Sequence, residues 1–239
     1  MSNNELDETQ DQVEEYVEQE ESSSPSGASL FVDRIKAWLN NQNKLAVFGI
    51  GGLIVVVLAY LAYRNFYQLP RENEATAAIY KTQALFDVDS FKLVLKDAPK
   101  LADKYSGTKG GELASYMSGC SYLYTGDYKK AIQYLEDVDF HDRVMKVQVK
   151  GLLGDAYVES KDLEKGLKYY LEAAKAAKGN SDFSAVWWYR KAARVYEKKD
   201  DWKNALEVYE TLKKDYHDEE MVNEINKYIY RAKAKLGES

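Results

Sequence analysis

The chain has 239 residues, of which 45% are hydrophobic, and a formal net charge of −6. Residues 1–44 carry ten acidic and three basic side chains, so the charge excess belongs to one end of the chain. The sequence has no basic run that could follow a phosphate backbone, which argues against nucleic-acid binding. The single cysteine, Cys120, excludes an internal disulfide, and we expect it to be a small buried residue rather than a pairing thiol.

The N-terminal segment, residues 1–29, contains nine carboxylates and no Lys or Arg. Such a segment cannot bury enough apolar surface to offset its ordering entropy, so we predict a disordered acidic tail. Residues 30–44 differ, because apolar side chains recur there at helical spacing, at Leu30, Phe31, Ile35, Trp38 and Leu39. This spacing predicts an amphipathic juxtamembrane helix at a membrane surface, with a plain linker as the alternative.

An uninterrupted apolar stretch, LAVFGIGGLIVVVLAYLAY, occupies residues 45–63. As a helix it would extend roughly 28 Å, close to the thickness of a bilayer hydrocarbon core. We therefore predict a transmembrane helix in a lipid bilayer, with the buried core helix of a soluble protein as the alternative. Ala46, Gly49 and Gly52 fall near one face, which would permit close packing against another membrane helix, although ordinary membrane-helix composition gives the same pattern.

The basic residues that flank this stretch do not set its orientation, because three lie on each side within twenty residues. They are Arg34, Lys36 and Lys44 before it, and Arg64, Arg71 and Lys81 after it. The acidic character of the preceding residues argues against a cleaved secretory signal.

The remaining residues, 64–239, have helical patterning throughout and none of the sustained alternation typical of strands. A short polar turn followed by a large and then a small side chain recurs three times. The copies are Gly126-Asp127-Tyr128-x-x-Ala131, Lys161-Asp162-Leu163-x-x-Gly166 and Asp200-Asp201-Trp202-x-x-Ala205. A second small residue precedes each turn, at Gly119, Gly154 and Ala193. Small residues at these positions would let the two helices of each copy approach closely.

This pattern resembles the tetratricopeptide repeat (TPR), a helix–turn–helix unit of 34 residues. We predict repeats at 112–145, 147–180 and 186–219, preceded by a degenerate repeat at 71–105 and followed by a capping helix at 219–236. The wider spacing before the last repeat predicts a longer loop near residues 179–184. The predicted fold class is all-α, with a single N-terminal transmembrane helix and a TPR-like helical solenoid.

Catalysis is not predicted. His141 and His217 have no second His or Cys at ligand spacing, and the sequence contains no phosphate-binding loop or nucleophile motif. We therefore expect no catalytic residue, no metal site and no cofactor.

Protein binding is the function that remains. In TPR arrays the first helix of each repeat lines a groove, and a mixed aromatic and basic wall could hold an extended or helical peptide. The alternative is that Tyr116 and Trp187 only pack against neighbouring helices. The predicted groove residues are Tyr116, Tyr124, Asp155, Trp187, Arg190, Arg194 and Lys198.

The acidic tail, the early uncleaved span and the C-terminal TPR-like units together resemble the YfgM-like family of bacterial inner-membrane proteins. The resemblance implies a single-pass inner-membrane protein with a cytoplasmic N-terminus and a periplasmic TPR domain. It also implies association with a SecYEG-type translocon, with a membrane-anchored periplasmic chaperone or prolyl isomerase, and with emerging client polypeptides. A cytosol-facing import receptor and an envelope-assembly adaptor are the alternatives.

Overall fold

The structure is a computed structural model that describes residues 27–40, 44–179, 181–216 and 219–238. Across these residues every regular element is helical, which confirms the predicted all-α fold. The greater part of the predicted acidic tail and His217 lie outside the described residues. The chain divides into two compact units, Met1–Arg64 and Asn65–Ser239.

The first unit contains two described helices, α1 (Gly27–Asn40) and α2 (Lys44–Tyr63). α1 exposes large apolar side chains, including Phe31 at 67%. α2 covers the predicted span, and each of its described side chains is exposed. Among the described residues, one helical stretch beginning at Phe48 is long and apolar enough to cross a membrane, judged by length and composition, and none of its apolar window is buried.

A π-helical turn over Arg64–Gln68 follows α2 in the chain, and the helices of the second unit come after it in pairs. Each pair packs on the next, because the second helix of one pair contacts the first helix of the following pair. The pairs are α3 (Leu69–Asp87) with α4 (Phe91–Lys104), α5 (Lys109–Thr125) with α6 (Tyr128–Glu136), α7 (Arg143–Glu159) with α8 (Leu163–Ala177), and α9 (Asp182–Lys198) with α10 (Trp202–Asp215), followed by α11 (Glu219–Leu236).

The repeated polar turn has a defined geometry in the last three pairs. Its final Asp caps the second helix by accepting a hydrogen bond from the backbone N–H three residues later. The residue before that Asp has a positive φ, which reverses the chain in a short turn. These residues are Gly126 and Asp127, Lys161 and Asp162, and Asp200 and Asp201.

The small residues lie where the two helices of a pair approach each other most closely. A Cβ added to Gly154 would lie 2.4 Å from Cδ1 of Tyr170, and one added to Gly166 would lie 2.4 Å from Cγ2 of Val158. The glycine at position 166, where the neighbouring repeats have alanine, is therefore required by the close packing of α7 and α8. Large side chains fill the space between pairs, with Tyr170 and Tyr209 only 4% and 1% exposed.

The predicted longer loop near residues 179–184 is wrong. α9 begins at Asp182, and only residues 178–181 separate it from α8. The extra length lies in α8, which has 15 residues compared with nine in α6. The wider repeat spacing therefore comes from a longer helix.

Candidate protein-binding groove

The first helices of successive pairs lie side by side. α3 contacts α5, and α5 contacts α7. Ion pairs join α7 to α9 through Asp155 and Lys191, and α9 to α11 through Arg190 and Glu224. We call the outward surface of α5, α7 and α9 the groove face, and all seven predicted groove residues belong to these helices.

On α9 the side chains opposite the buried side are exposed. Trp187 is 48% exposed, and Arg194 and Lys198 are also exposed. The sequence interpretation missed Phe183, which lies one turn before Trp187 and is 75% exposed. Its spacing of four residues from Trp187 could have identified it.

Arg190 is less available than its predicted role requires. Its guanidinium donates to both carboxylate oxygens of Glu224, at 3.0 and 2.5 Å, and to the hydroxyl of Tyr228 at 3.2 Å. A bidentate pair of this kind has a defined geometry and is among the stronger hydrogen-bonded ion pairs. Arg190 therefore connects α9 to α11, and its contact with a partner stays a prediction.

Asp155 is likewise engaged within the chain. Its Oδ1 accepts hydrogen bonds from Lys191 Nζ at 2.6 Å and from the Tyr170 hydroxyl at 2.5 Å. Burial, together with the adjacent Asp155 carboxylate, raises the pKa of Tyr170, because both disfavour the phenolate. Lys191 Nζ also lies 5.5 Å from the centre of the Trp187 ring, so the lysine links the carboxylate to the exposed aromatic surface.

Tyr116 lies in an aromatic cluster at the other end of the groove face. It makes edge-to-face contacts with Phe86 and Phe140, at centroid distances of 6.1 and 5.6 Å. Its side chain is half-buried, and desolvation raises its pKa. The packing alternative therefore describes Tyr116 better than a role as a free binding residue.

Tyr124 is available on this side of the face. It is 64% exposed and stacks on Phe91 with a centroid distance of 4.6 Å. An open pocket of about 440 Å³ lies beside the pair, lined by residues 89–93, Tyr124 and Thr125. The groove face therefore offers an aromatic surface at Tyr124 and an aromatic and basic surface along α9.

Cys120 lies beneath Tyr116 and is 2% exposed. Desolvation raises the pKa of its thiol to about 12, as expected for a cysteine that packs as an apolar residue. His141 is exposed in the connection between α6 and α7. Within the described residues, no group of three His, Cys, Asp or Glu side chains could hold a metal ion.

The predicted membrane packing residues lie on α2. The side chain of Ala46 is outside the described residues. A Cβ added to Gly49 or Gly52 would meet nothing within 4 Å among the described residues. This face of α2 has room for close contact with a helix from another protein.

Comparison with known sequences identifies the repeats. A tetratricopeptide-repeat family model matches residues 114–139 and 147–180, and a second tetratricopeptide-repeat model matches residues 189–218. Comparison with the curated proteins gives no match.

Solved structures with the same fold include two proteins. MamA (41-end) from Desulfovibrio magneticus RS-1 is 22% identical and has a TM-score of 0.50, over 59% of this chain and 75% of that chain. A putative kinesin light chain from Podosopora anserina, with nearly identical TPR-like repeats, is 12% identical and has a TM-score of 0.56, over 70% and 88% of the two chains. At these identities the likeness shows the fold alone. The chain therefore carries tetratricopeptide repeats in a TPR-like helical solenoid, a fold typical of protein–protein interaction scaffolds.

Proposed function

We propose that this chain is a membrane-tethered TPR scaffold that works beside a SecYEG-type translocon. In this proposal the N-terminus is cytoplasmic and the TPR domain is in the periplasm of a bacterium. The observation that carries it is α2, whose described side chains are all exposed although the helix is apolar along its length. Such a surface is stable in hydrocarbon and costly in water, which favours a bilayer as its surroundings.

The tether gives the scaffold its proposed advantage. A single span would hold the TPR domain near the channel, which raises its effective concentration for weakly bound emerging polypeptides. The small-residue face of α2 at Gly49 and Gly52 is the proposed contact with another membrane helix. A membrane-anchored periplasmic chaperone or prolyl isomerase is the proposed second partner, on the basis of the family resemblance.

Topology is the first test. A reporter enzyme that is active only in the periplasm, fused after Ser239, is expected to be active. A chain that lacks residues 45–63 is the control and is expected to leave the reporter inactive. Activity of a cytosol-specific reporter at the same position would contradict the proposal and favour the import-receptor alternative.

Partner recovery is the second test. Purification of the full chain in a mild detergent is expected to recover translocon subunits and a periplasmic chaperone. Gly49→Leu with Gly52→Leu should reduce recovery of the translocon by filling the small-residue face. Gly51→Leu is the control, because helical periodicity places Gly51 about 100° or more around α2 from both glycines and its added side chain also meets open space. Equal recovery by both variants would exclude this face as the contact.

A further inference from the structure

We infer that the exposed side of α9 binds an acidic peptide segment that carries one bulky apolar side chain. The inference rests on the proposed function, in which the TPR domain binds polypeptides, and adds which chemistry it selects. The surface concerned consists of Phe183, Trp187, Arg194 and Lys198, and we call it the α9 strip.

Helical geometry places the α9 strip on one side of the helix. Phe183 and Trp187 are one turn apart, Arg194 follows after two further turns, and Lys198 lies one turn beyond Arg194. Their side chains are all exposed, whereas the opposite side of α9 is buried at Ala185, Ala192 and other core residues. Two aromatic groups are therefore followed by two cations along one line.

The charges around the strip show which of its cations are available. On the neighbouring surfaces, Lys191 pairs with Asp155, Arg190 pairs with Glu224, and Arg231 pairs with Glu197. Glu159, in the last turn of α7, has no such partner among the described residues, and neither do Arg194 and Lys198. The strip therefore keeps two unpaired positive charges, whereas the carboxylates of Asp155, Glu224 and Glu197 on the neighbouring surfaces are engaged in ion pairs.

This arrangement fits a peptide with carboxylates next to a large apolar residue. The arginine fork can receive a carboxylate through two parallel hydrogen bonds, which gives direction as well as attraction. Trp187 and Phe183 offer a large contact area with few rotatable bonds, so an apolar side chain could be bound at low entropic cost. Two free cations are too few to neutralise a run of nucleic-acid phosphates.

The test uses the full chain in detergent micelles and a short fluorescent peptide of glutamates around one phenylalanine. Fluorescence anisotropy is expected to show saturable binding that weakens as salt is raised. Arg194→Glu with Lys198→Glu should lower the affinity at least about tenfold, and Trp187→Ala should lower it by a similar factor. Circular dichroism melting curves of these variants verify that substitutions at exposed positions leave the fold intact.

A matched charge control separates the strip from the overall field of the domain. Lys96 and Lys100 are exposed, lie one turn apart on α4, and have no ion pair among the described residues. Lys96→Glu with Lys100→Glu changes the net charge by the same amount and is expected to retain the affinity. An equal loss in this variant, or equal binding of a peptide with lysine in place of glutamate, would overturn the inference.

Two further outcomes are decisive. If the peptide binds only after residues 1–29 are removed, the chain's own acidic segment occupies the strip, and the inference of a separate partner is wrong. If the unaltered chain fails to bind the peptide but still recovers translocon subunits, this inference fails while the proposed function stands. If the chain binds the peptide but recovers no translocon subunits, the proposed role beside the translocon fails while this inference stands.

Discussion

Lys191 of α9 donates a hydrogen bond to Asp155 of α7, with 2.6 Å between Nζ and Oδ1. The same carboxylate oxygen accepts a hydrogen bond from Tyr170 of α8. Both side chains of the ion pair are about three-quarters buried, so solvent screens their attraction less than at an open surface. One carboxylate therefore joins the two helices of one repeat to the first helix of the next.

Removal of Lys191 should weaken this junction. In Lys191→Met, Asp155 keeps a single donor and becomes a partly buried carboxylate without a cation. We expect the free energy of unfolding to fall by about 1–3 kcal/mol, measured by urea denaturation of the full chain in micelles. Lys175→Met is the control, because Lys175 is exposed on α8 and has no ion pair among the described residues. Equal stability of the two variants would show that the pair contributes nothing.

The close packing of α7 and α8 leads to a second prediction, which concerns the stability of a Gly154 variant. Gly154→Ala places a methyl group where the Tyr170 ring now lies, and Tyr170 is too deeply buried to move outward freely. Overpacking of this kind costs about 1–3 kcal/mol, which should appear as a lower urea midpoint with a similar slope. Gly52→Ala on α2 is the control, since its added carbon meets open space. An unchanged midpoint for Gly154→Ala would mean that the two helices separate without cost.

Sequence reasoning identified the repeats because their turns and small residues are fixed by local requirements. A capping Asp, a residue with positive φ and a Gly or Ala at each close approach recur at nearly constant spacing, as at Asp162 and Gly166. The state of the groove residues depends instead on partners that are distant in sequence. Arg190 meets Glu224 from 34 residues away, and Tyr116 meets Phe86 and Phe140 on other segments. No spacing rule within one helix could show that these side chains are engaged.

The length of α8 has a similar explanation. Repeat spacing reports the number of residues between equivalent turns and does not show whether added residues extend a helix or a loop. Here the alanine-rich end of α8, with Ala173, Ala174 and Ala177 almost completely buried, continues the helix instead of breaking it. Alanine has the highest helix propensity, which favours this result.

Because three buried tyrosines donate hydrogen bonds to carboxylates, we expect the folded chain to lose stability at alkaline pH. Tyr157, Tyr170 and Tyr209 donate to Glu136, Asp155 and Glu197, and burial together with these carboxylates raises their pKa values. A pKa that is higher in the folded than in the unfolded chain contributes stability that is complete below the unfolded value of about 10 and is lost as pH rises above it. Urea midpoints should therefore fall steeply above pH ~10.

A single substitution tests the contribution of one tyrosine. Tyr170→Phe removes the ionisable group, so its stability should decline less with pH above ~10 than that of the unaltered chain. Tyr230→Phe is the control at an exposed site, and its alkaline decline should match that of the unaltered chain. Parallel declines for all three proteins would contradict the assignment of the effect to Tyr170.

The environment of Cys120 predicts slow reaction with thiol reagents. Burial raises the pKa of the Cys120 thiol to about 12, so at pH 8 a much smaller fraction of it is ionised than of a free cysteine. Since the thiolate is the nucleophile and the side chain is 2% exposed, alkylation by iodoacetamide should be at least about 10³-fold slower than in urea. The rate is measured by mass spectrometry of the intact chain.

An exposed thiol in the same helix provides the comparison. Tyr124→Cys in a Cys120→Ser chain places the sulfur one turn further along α5, at a position that is exposed, and it should react at a rate near that of a free cysteine. Rapid alkylation of the native Cys120 would show that α5 separates from its neighbours often enough to expose the core. Slow alkylation at both positions would instead show that the reagent, and not burial, limits the reaction.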